Sequence, residues 1–335
     1  MFHTVLRTLR PTKALSRTAM ALAACLLVPL AAPAQAAWPE RPITFIVPTA
    51  AGGSPDVVSR LLGQQLGVQL GQSVVIENKP GASGSIGAMA IARAKPDGYT
   101  IGYAPTTMLA INQFLYKKLP YDVEQDFDYV TEFIKTYNFL LVPASNPANS
   151  VDELVAYLKK KPEGAFFASS GNGTTGHLSA EMFKQRTGVE MTHVPFTGSA
   201  GGLSELIAGR VDVMFDNTTS SAPLVQAGKL KAIAVTSPQR LPEFPDTPTM
   251  IESGVPDFDV SGWGGIIVPK GTPDDVIERL NREINIALQA PLVQDGFKKI
   301  GAATVGGSSE DMKAHTAHDA AMWGAVIRNA NITME

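Results

Sequence analysis

Ile43-Thr44-Phe45-Ile46-Val47 leads through Pro48 into Thr49-Ala50-Ala51-Gly52-Gly53-Ser54-Pro55-Asp56, and the reading of this junction decides the fold. The first five residues form a short, β-branched, turn-bounded run, which predicts a buried strand. Thr49 to Ser54 predicts a turn, since glycine reaches backbone angles that other residues avoid. From Pro55 to Leu70 the apolar residues return at helical spacing, and proline suits a first helical position. Asp56 opens that helix, where a negative charge complements the dipole.

The same strand–turn–helix unit recurs outward from this point. Val74–Ile76, Tyr99–Tyr103, Phe139–Val142, Ala165–Ser169, Met191–Val194, Val211–Phe215, Ala232–Thr236 and Ile266–Val268 read as strands. Helices alternate with them, one of them capped by Ser150 with Glu153 three residues on. Three helices starting at Pro273, Pro291 and Ser309 close the chain, and Ser237 to Gly254 reads as a Pro-rich surface loop. Short strands alternating with helices imply an α/β fold of parallel sheet covered on both faces.

The N-terminal stretch has the build of an export signal. Arg7, Arg10, Lys13 and Arg17 form a basic head, Ala19 to Ala32 is apolar, and Ala34-Gln35-Ala36 supplies small residues for a cut before Ala37. A membrane span needs roughly 20 apolar residues, and Pro29 and Pro33 interrupt this run early. Leu22-Ala23-Ala24-Cys25 resembles a lipoprotein box, but cleavage there would leave Leu26 to Ala32 as an apolar N-terminus. Residues 1–36 are therefore expected to be removed as a signal peptide, and the protein to be periplasmic. Cys25 is the one cysteine, so the mature chain would offer no disulfide, thiolate or cysteine metal site. The chain carries 28 basic and 31 acidic residues, and losing the four basic leader residues leaves 24 against 31, a balance of −7. With no basic run, nucleic acid is not an expected partner.

Six turns share one composition. They are Thr49–Ser54, Gly81–Ser85, Ala104–Thr107, Ser169–Gly176, Thr197–Gly201 and Asn217–Ser220, rich in Gly, Ser, Thr and Asn and nearly free of Arg and Lys. In a parallel α/β sheet such turns gather at the carboxyl edge, where ligands bind. Each exposes helix N-terminal N–H groups at the positive end of a dipole, so together they suit a carboxylate held without fixed cations. Small polar residues also simply make turns, and the number of such turns in one chain is what favours a site.

Other motifs weigh less. Gly171-Asn172-Gly173-Thr174-Thr175-Gly176 has the spacing of a dinucleotide fingerprint, but the next strand ends at His193-Val194-Pro195 without the required acid. Gly81-Ala82-Ser83-Gly84-Ser85 fails the nucleophile-elbow pattern at Ser85. His315 and His318 lack further ligands and read as a solvated helix face, while His177 and His193 read as packed residues. Asp216 ends a strand at the expected edge and would either orient loops or meet an amino group on the ligand. No catalytic residue, metal or cofactor is assigned.

An ordered set of pieces covers nearly all of the mature chain. It comprises Trp38-Pro39-Glu40-Arg41-Pro42-Ile43, Gly52-Gly53-Ser54, Glu77-Asn78-Lys79-Pro80-Gly81-Ala82-Ser83-Gly84 and Pro96-Asp97-Gly98-Tyr99-Thr100. It continues with Ala168-Ser169-Ser170-Gly171, His193-Val194-Pro195-Phe196-Thr197-Gly198, the run Gly228 to Ser237, Pro248-Thr249 and Trp263. In these the chain resembles the periplasmic receptors of tripartite tricarboxylate transporters, the Bug-type family. The resemblance implies a two-lobed periplasmic-binding-protein (type II, Venus-flytrap) fold with parallel-rich sheets in each lobe. Residues 37–142 with 260–335 would form one lobe and 143–259 the other, hinged near Pro143 and Asp259.

The ligand residues implied are Thr49, Ala51, Gly52, Gly53, Ser54, Ala82, Ser83, Gly84 and Thr106 on one side. Facing them would be Ser170, Asn172, Thr174, Thr175, Phe196, Thr197, Gly198, Asp216, Asn217 and Thr218. The family often has an aromatic residue in place of Thr49 and Tyr-Lys in place of Phe196-Thr197, departures that bear on the ligand's identity. The expected function is capture of a di- or tricarboxylate, acidic amino acid or aromatic acid such as terephthalate, by a monomer serving membrane permease subunits. The alternatives are a receptor presenting its ligand to a sensor kinase and, from another class, an exported serine hydrolase. Gly53→Val and Gly84→Val are both expected to block the ligand while leaving the fold intact.

Overall fold

A computed structural model describes residues 38–161 and 164–334, together with residues 1 and 3. The expected signal peptide, its cut before Ala37 and Cys25 lie outside the described residues. Every described strand and helix belongs to the unit Arg41–Glu335.

The first strand is β1 (Ile43–Val47), and its helix α1 (Ser54–Leu70) buries Val58, Leu62, Leu66 and Leu70. β2 (Val74–Asn78) and β3 (Thr100–Pro105) flank β1 in parallel, with α2 (Ser85–Ala92) between them in sequence. β4 is a strand of 17 residues, Phe127–Pro143, and it carries the sheet from one half of the molecule to the other. Its Phe127–Tyr137 portion runs antiparallel to β9 (Ser261–Pro269), and β10 (Ala303–Gly306) pairs its other edge. From Asn138 to Pro143 it pairs instead with β7 (Val213–Asn217) and β8 (Leu230–Val235). β5 (Ala165–Ser169) then joins β7 and β6 (Met191–Pro195) in parallel. The strand order is β2-β1-β3-β9-β4-β7-β5-β6.

Two findings depart from the sequence reading. The sheet is mixed, since β4, β8, β9 and β10 enter it antiparallel. In addition, β4 begins twelve residues before the expected Phe139. Register shifts between Tyr129 and Thr131 and between Glu132 and Ile134 break the two-residue alternation that would have marked it.

The second half holds α5 (Val151–Lys159), α6 (Thr175–Thr187), α7 (Ser199–Ile207) and α8 (Thr218–Gln226). Two short helices, α3 (Asn112–Leu115) and α4 (Val123–Asp126), precede β4. The chain closes with α9 (Asp274–Ala287), α10 (Pro291–Lys299) and α11 (Ser309–Asn329). α11 serves both cores: Met312 packs with Met108 and Trp263, whereas Trp323, Val326 and Ile327 join Leu140, Leu178 and Phe183. Among the described residues no helix is long and apolar enough to cross a membrane.

Candidate functional site

The turn after β1 is fastened from below. Asp56, which is buried, accepts from the Gly52 N–H at 2.8 Å, Asn78 Nδ2 at 3.0 Å and Arg60 Nε at 3.0 Å. Burial pushes the carboxyl pKa up, but Arg60, the Gly52 amide and Asn78 outweigh it and hold it below the usual carboxylate range. Asp56 therefore does more than complement a helix dipole: it shapes the Thr49–Ser54 turn and takes the Gly52 N–H that was expected to face the ligand. In the same turn, the Thr49 Oγ1 atom is buried and has no hydrogen-bond partner among the described residues.

The second turn is strained. Ala82 and Ser83 sit at φ 46° and 51°, in the left-handed region that side chains disfavour, between Gly81 and Gly84 at 122° and 90°. Three groups hold it there: Ser83 Oγ shares a 2.6 Å hydrogen bond with Tyr116 OH, Asn112 Nδ2 donates to the Ser83 carbonyl at 3.1 Å, and Tyr121 OH anchors Asn112. Asn112 and Tyr116 escape sequence reading because they follow a π-helical stretch, Thr107–Ile111, that has no sequence signature.

Across from these turns, the Ser169–Gly176 loop rests on two stacked imidazoles. His177 and His193 lie 3.9 Å apart and Phe167 stacks on His193 at 4.7 Å. His177 Nδ1 accepts the Gly173 N–H at 3.1 Å, so its proton sits on Nε2; His193 Nε2 meets Ser169 Oγ at 2.7 Å. Burial lowers the two pKa values to about 3 and about 4, aided by the neighbouring His193 ring for His177 and by Lys184 for both. Both rings are neutral at physiological pH. Gly173 is glycine for steric reasons, because a Cβ there would stand 2.3 Å from Leu115 Cδ1.

The remaining expected ligand residues divide. Phe196 N and Gly198 N bond to the Ser169 and Ser170 carbonyls at 3.0 and 2.9 Å, and the Phe196 ring leans on the core of the second half. Asp216 is buried; its carboxylate accepts from Ser199 Oγ at 2.6 Å and from Ser220 Oγ, tying together the starts of α7 and α8. Burial raises its pKa to about 6 against the pull of those two hydroxyls. It orients loops. Asn217 caps α8 and donates to Thr136 Oγ1 at 2.7 Å, and Thr106 is spent inside the sheet, exchanging 2.8 and 2.9 Å bonds with the Trp263 backbone. Thr218 lines a separate cavity. His315 departs from the solvated face expected for it, meeting Glu132 at 2.6 Å and stacking on Trp263 at 4.6 Å.

Five of the expected residues meet on one cavity of about 300 Å³. Thr49, Ser83 and Gly84 line it from one half and Asn172 and Thr174 from the other, with Thr107 and Asn112 completing the wall. No charged side chain lines it. Helices α1, α2 and α7 begin at Gly53, Gly84 and Gly198 without a side-chain cap, whereas Thr174 and Asn217 cap α6 and α8. An uncapped start leaves N–H groups without side-chain partners at the positive end of the dipole, although at α2 the Ser85 N–H is taken by the Ala82 carbonyl. Ala51, Gly53, Ser54, Thr175 and Thr197 stand near these starts, outside the cavity wall.

A hydrolase would need a serine, a histidine and an acid in mutual contact. Ser169 and His193 touch, but Ser169 is fully buried, and among the described residues no carboxylate bonds to the His193 ring. No cluster of three or more His, Cys, Asp or Glu among the described residues is arranged to hold a metal.

The chain is similar to several known proteins. The UPF0065 protein in the tcbD-tcbE intergenic region of Pseudomonas sp. strain P51 is 40% identical over 275 residues, 82% of either chain. Among solved structures, R. palustris Rpa4515 with adipate is 38% identical, with a TM-score of 0.78 over 89% of this chain and 100% of that one. The periplasmic binding protein BugD is 34% identical, with a TM-score of 0.75 over 89% and 100%. The fold is thus the two-lobed one of periplasmic binding proteins. Residues 58–332 match the tripartite tricarboxylate transporter family receptors, and the chain belongs to that family.

Proposed function

We propose that this protein is a periplasmic receptor that closes two lobes over a small dicarboxylate, surrenders it to membrane permease subunits, and performs no chemistry on it. The observation that carries this reading is an uncharged cavity shared by the two halves, whose wall includes Thr49, a residue with a buried hydroxyl that has no partner among the described residues. A buried polar atom left unsatisfied costs about 1–3 kcal/mol, and a carboxylate oxygen would satisfy it. The uncapped start of α2 at Gly84, on the cavity wall, contributes a complementary positive field. The relative solved with adipate supports a dicarboxylate, and a cavity of about 300 Å³ is at the small end for ligand sites.

In this reading one lobe comprises residues 41–137 with 261 onward and the other residues 138–260, joined through β4 and the approach to β9. The boundary follows the change of pairing partner between Tyr137 and Asn138 rather than the Pro143 joint read from sequence. Closure turns about that crossing.

A thermal-shift screen tests the reading. A ligand at a hundredfold excess over its dissociation constant adds about 2.7 kcal/mol, a rise of about 5 °C or more for a chain of this size. Mono-, di- and tricarboxylates are set against amines and neutral sugars. Stabilisation by an amine or sugar, with none by any carboxylate, would refute it.

A further inference from the structure

A second cavity, of about 410 Å³, opens on the flank of the β4 crossing and shares no lining residue with the first. Its walls come from both halves: Ala222 of α8, Leu241 and Phe244 from the loop after β8, and Ile300 just past α10. These are apolar surfaces, and Leu241 and Phe244 are only partly covered by the core beneath them. Lys135, Lys298 and Lys299 stand around the opening, with Glu243 the one acid among the lining residues. Among the described residues none of the three lysines enters an ion pair. Lys298 and Lys299 fall in the last turn of α10, where a helix favours cations anyway. Lys135 lies outside any helix end, and its charge also reaches the buried Asp319 carboxylate. It is a half-buried cation on β4, in register with Ala303 and Trp263.

We propose that this cavity is a second binding site, for an amphiphilic monocarboxylate whose head meets Lys135, Lys298 and Lys299 and whose alkyl or aryl body lies against Ala222, Leu241, Phe244 and Ile300. The volume falls in the range of small-molecule sites, and an apolar wall with a few converging polar groups is their usual build. The chemistry is the reverse of the first cavity, which has hydroxyls and amides and no cation. The two sites therefore select different acids: a short polar dicarboxylate in one, a longer apolar monocarboxylate in the other.

Titration calorimetry of the full mature chain with octanoate, and with octanamide as its uncharged counterpart, tests this. Octanoate is expected to bind, and octanamide about tenfold or more weaker, the difference expected of a charge-assisted hydrogen bond. Lys135→Gln reduces octanoate affinity by a similar factor, and Ala222→Trp abolishes it by filling the space. Thr49→Val, on the wall of the other cavity, leaves it unchanged. The proposal fails if octanoate does not bind, if octanamide binds as well, or if binding survives both Lys135→Gln and Ala222→Trp. It also fails if Thr49→Val removes octanoate binding, which would place the fatty acid in the first cavity.

Discussion

Thr49→Val separates a ligand-binding hydroxyl from a structural one. Valine matches threonine in shape and lacks only the Oγ1 atom, which is buried with no partner among the described residues. Removing a buried orphan relieves a penalty of about 1–3 kcal/mol, so the ligand-free variant is expected to be more stable than the parent. For a chain of this size each kcal/mol is worth about 2–4 °C, giving a rise of about 2 °C or more. The effect on binding has the opposite sign. A hydrogen bond to a carboxylate is worth about 1.5–3 kcal/mol, so affinity drops roughly 10- to 150-fold. Scanning fluorimetry without ligand, paired with calorimetry using the best dicarboxylate from the screen, reads both quantities. A variant that melts lower than the parent yet binds equally well would show that the hydroxyl is a structural group, and the reasoning would fall.

Asp216 holds its proton up to about pH 6 in the folded state, above the unfolded range near 3.9. Its contribution is therefore fully favourable below about pH 3.9 and lost as pH rises through 6; Asp216→Asn should gain up to about 3 kcal/mol over the parent at pH 8, about half of that at pH 5 and little at pH 3, and a pH-independent difference in melting temperature would contradict this. For His177 the sign is reversed: its folded pKa of about 3 lies below the unfolded value near 6.5. Stability is present above pH 6.5 and declines on acidification at up to about 1.4 kcal/mol per pH unit, while His177→Gln, which keeps an acceptor for the Gly173 N–H, flattens part of that slope in denaturant titrations. Gly53 (φ −76°) tolerates any side chain, and a Cβ there meets Ala50 and Pro55 at ordinary distances of 3.7 and 3.8 Å, so Gly53→Val should fold normally and bind more weakly, as calorimetry would read. Gly84 at φ 90° does not share this freedom: contrary to the sequence expectation, Gly84→Val should also destabilise by about 1–2 kcal/mol, measurable by urea unfolding.

The junction from Ile43 to Leu70 is legible because each rule it obeys is local: β1 spans the residues read as a strand, and α1 starts one residue from the expected Pro55. The loops at Thr49, Ser83 and Asn172 can be picked out by composition alone. What composition does not reveal is how each polar group is used. The Thr106 hydroxyl reads as available until the fold brings Trp263, 157 residues away, into contact with it. The His315 ring reads as solvated because Glu132 is 183 residues distant. The Gly52 amide is taken by an acid only four residues on, which the sequence conceals because Asp56 already has a sufficient explanation as a dipole partner. β4 is hidden for a different reason: its bulges erase the periodicity on which strand reading depends.

The reach of α11 decides how this protein can be cut and reused. Trp323, Val326 and Ile327, with Leu115 from before the crossing strand, fill the same interior as Phe183 and Phe215, and the Met334 amide is fastened to the Leu115 carbonyl at 2.8 Å. A fragment expressed from 138 to 260 would lack these four interior side chains, and Ala110 and Ile111 of the same cluster, and present a raw apolar face to water. Anyone grafting that half into a biosensor must bring the C-terminal helix along.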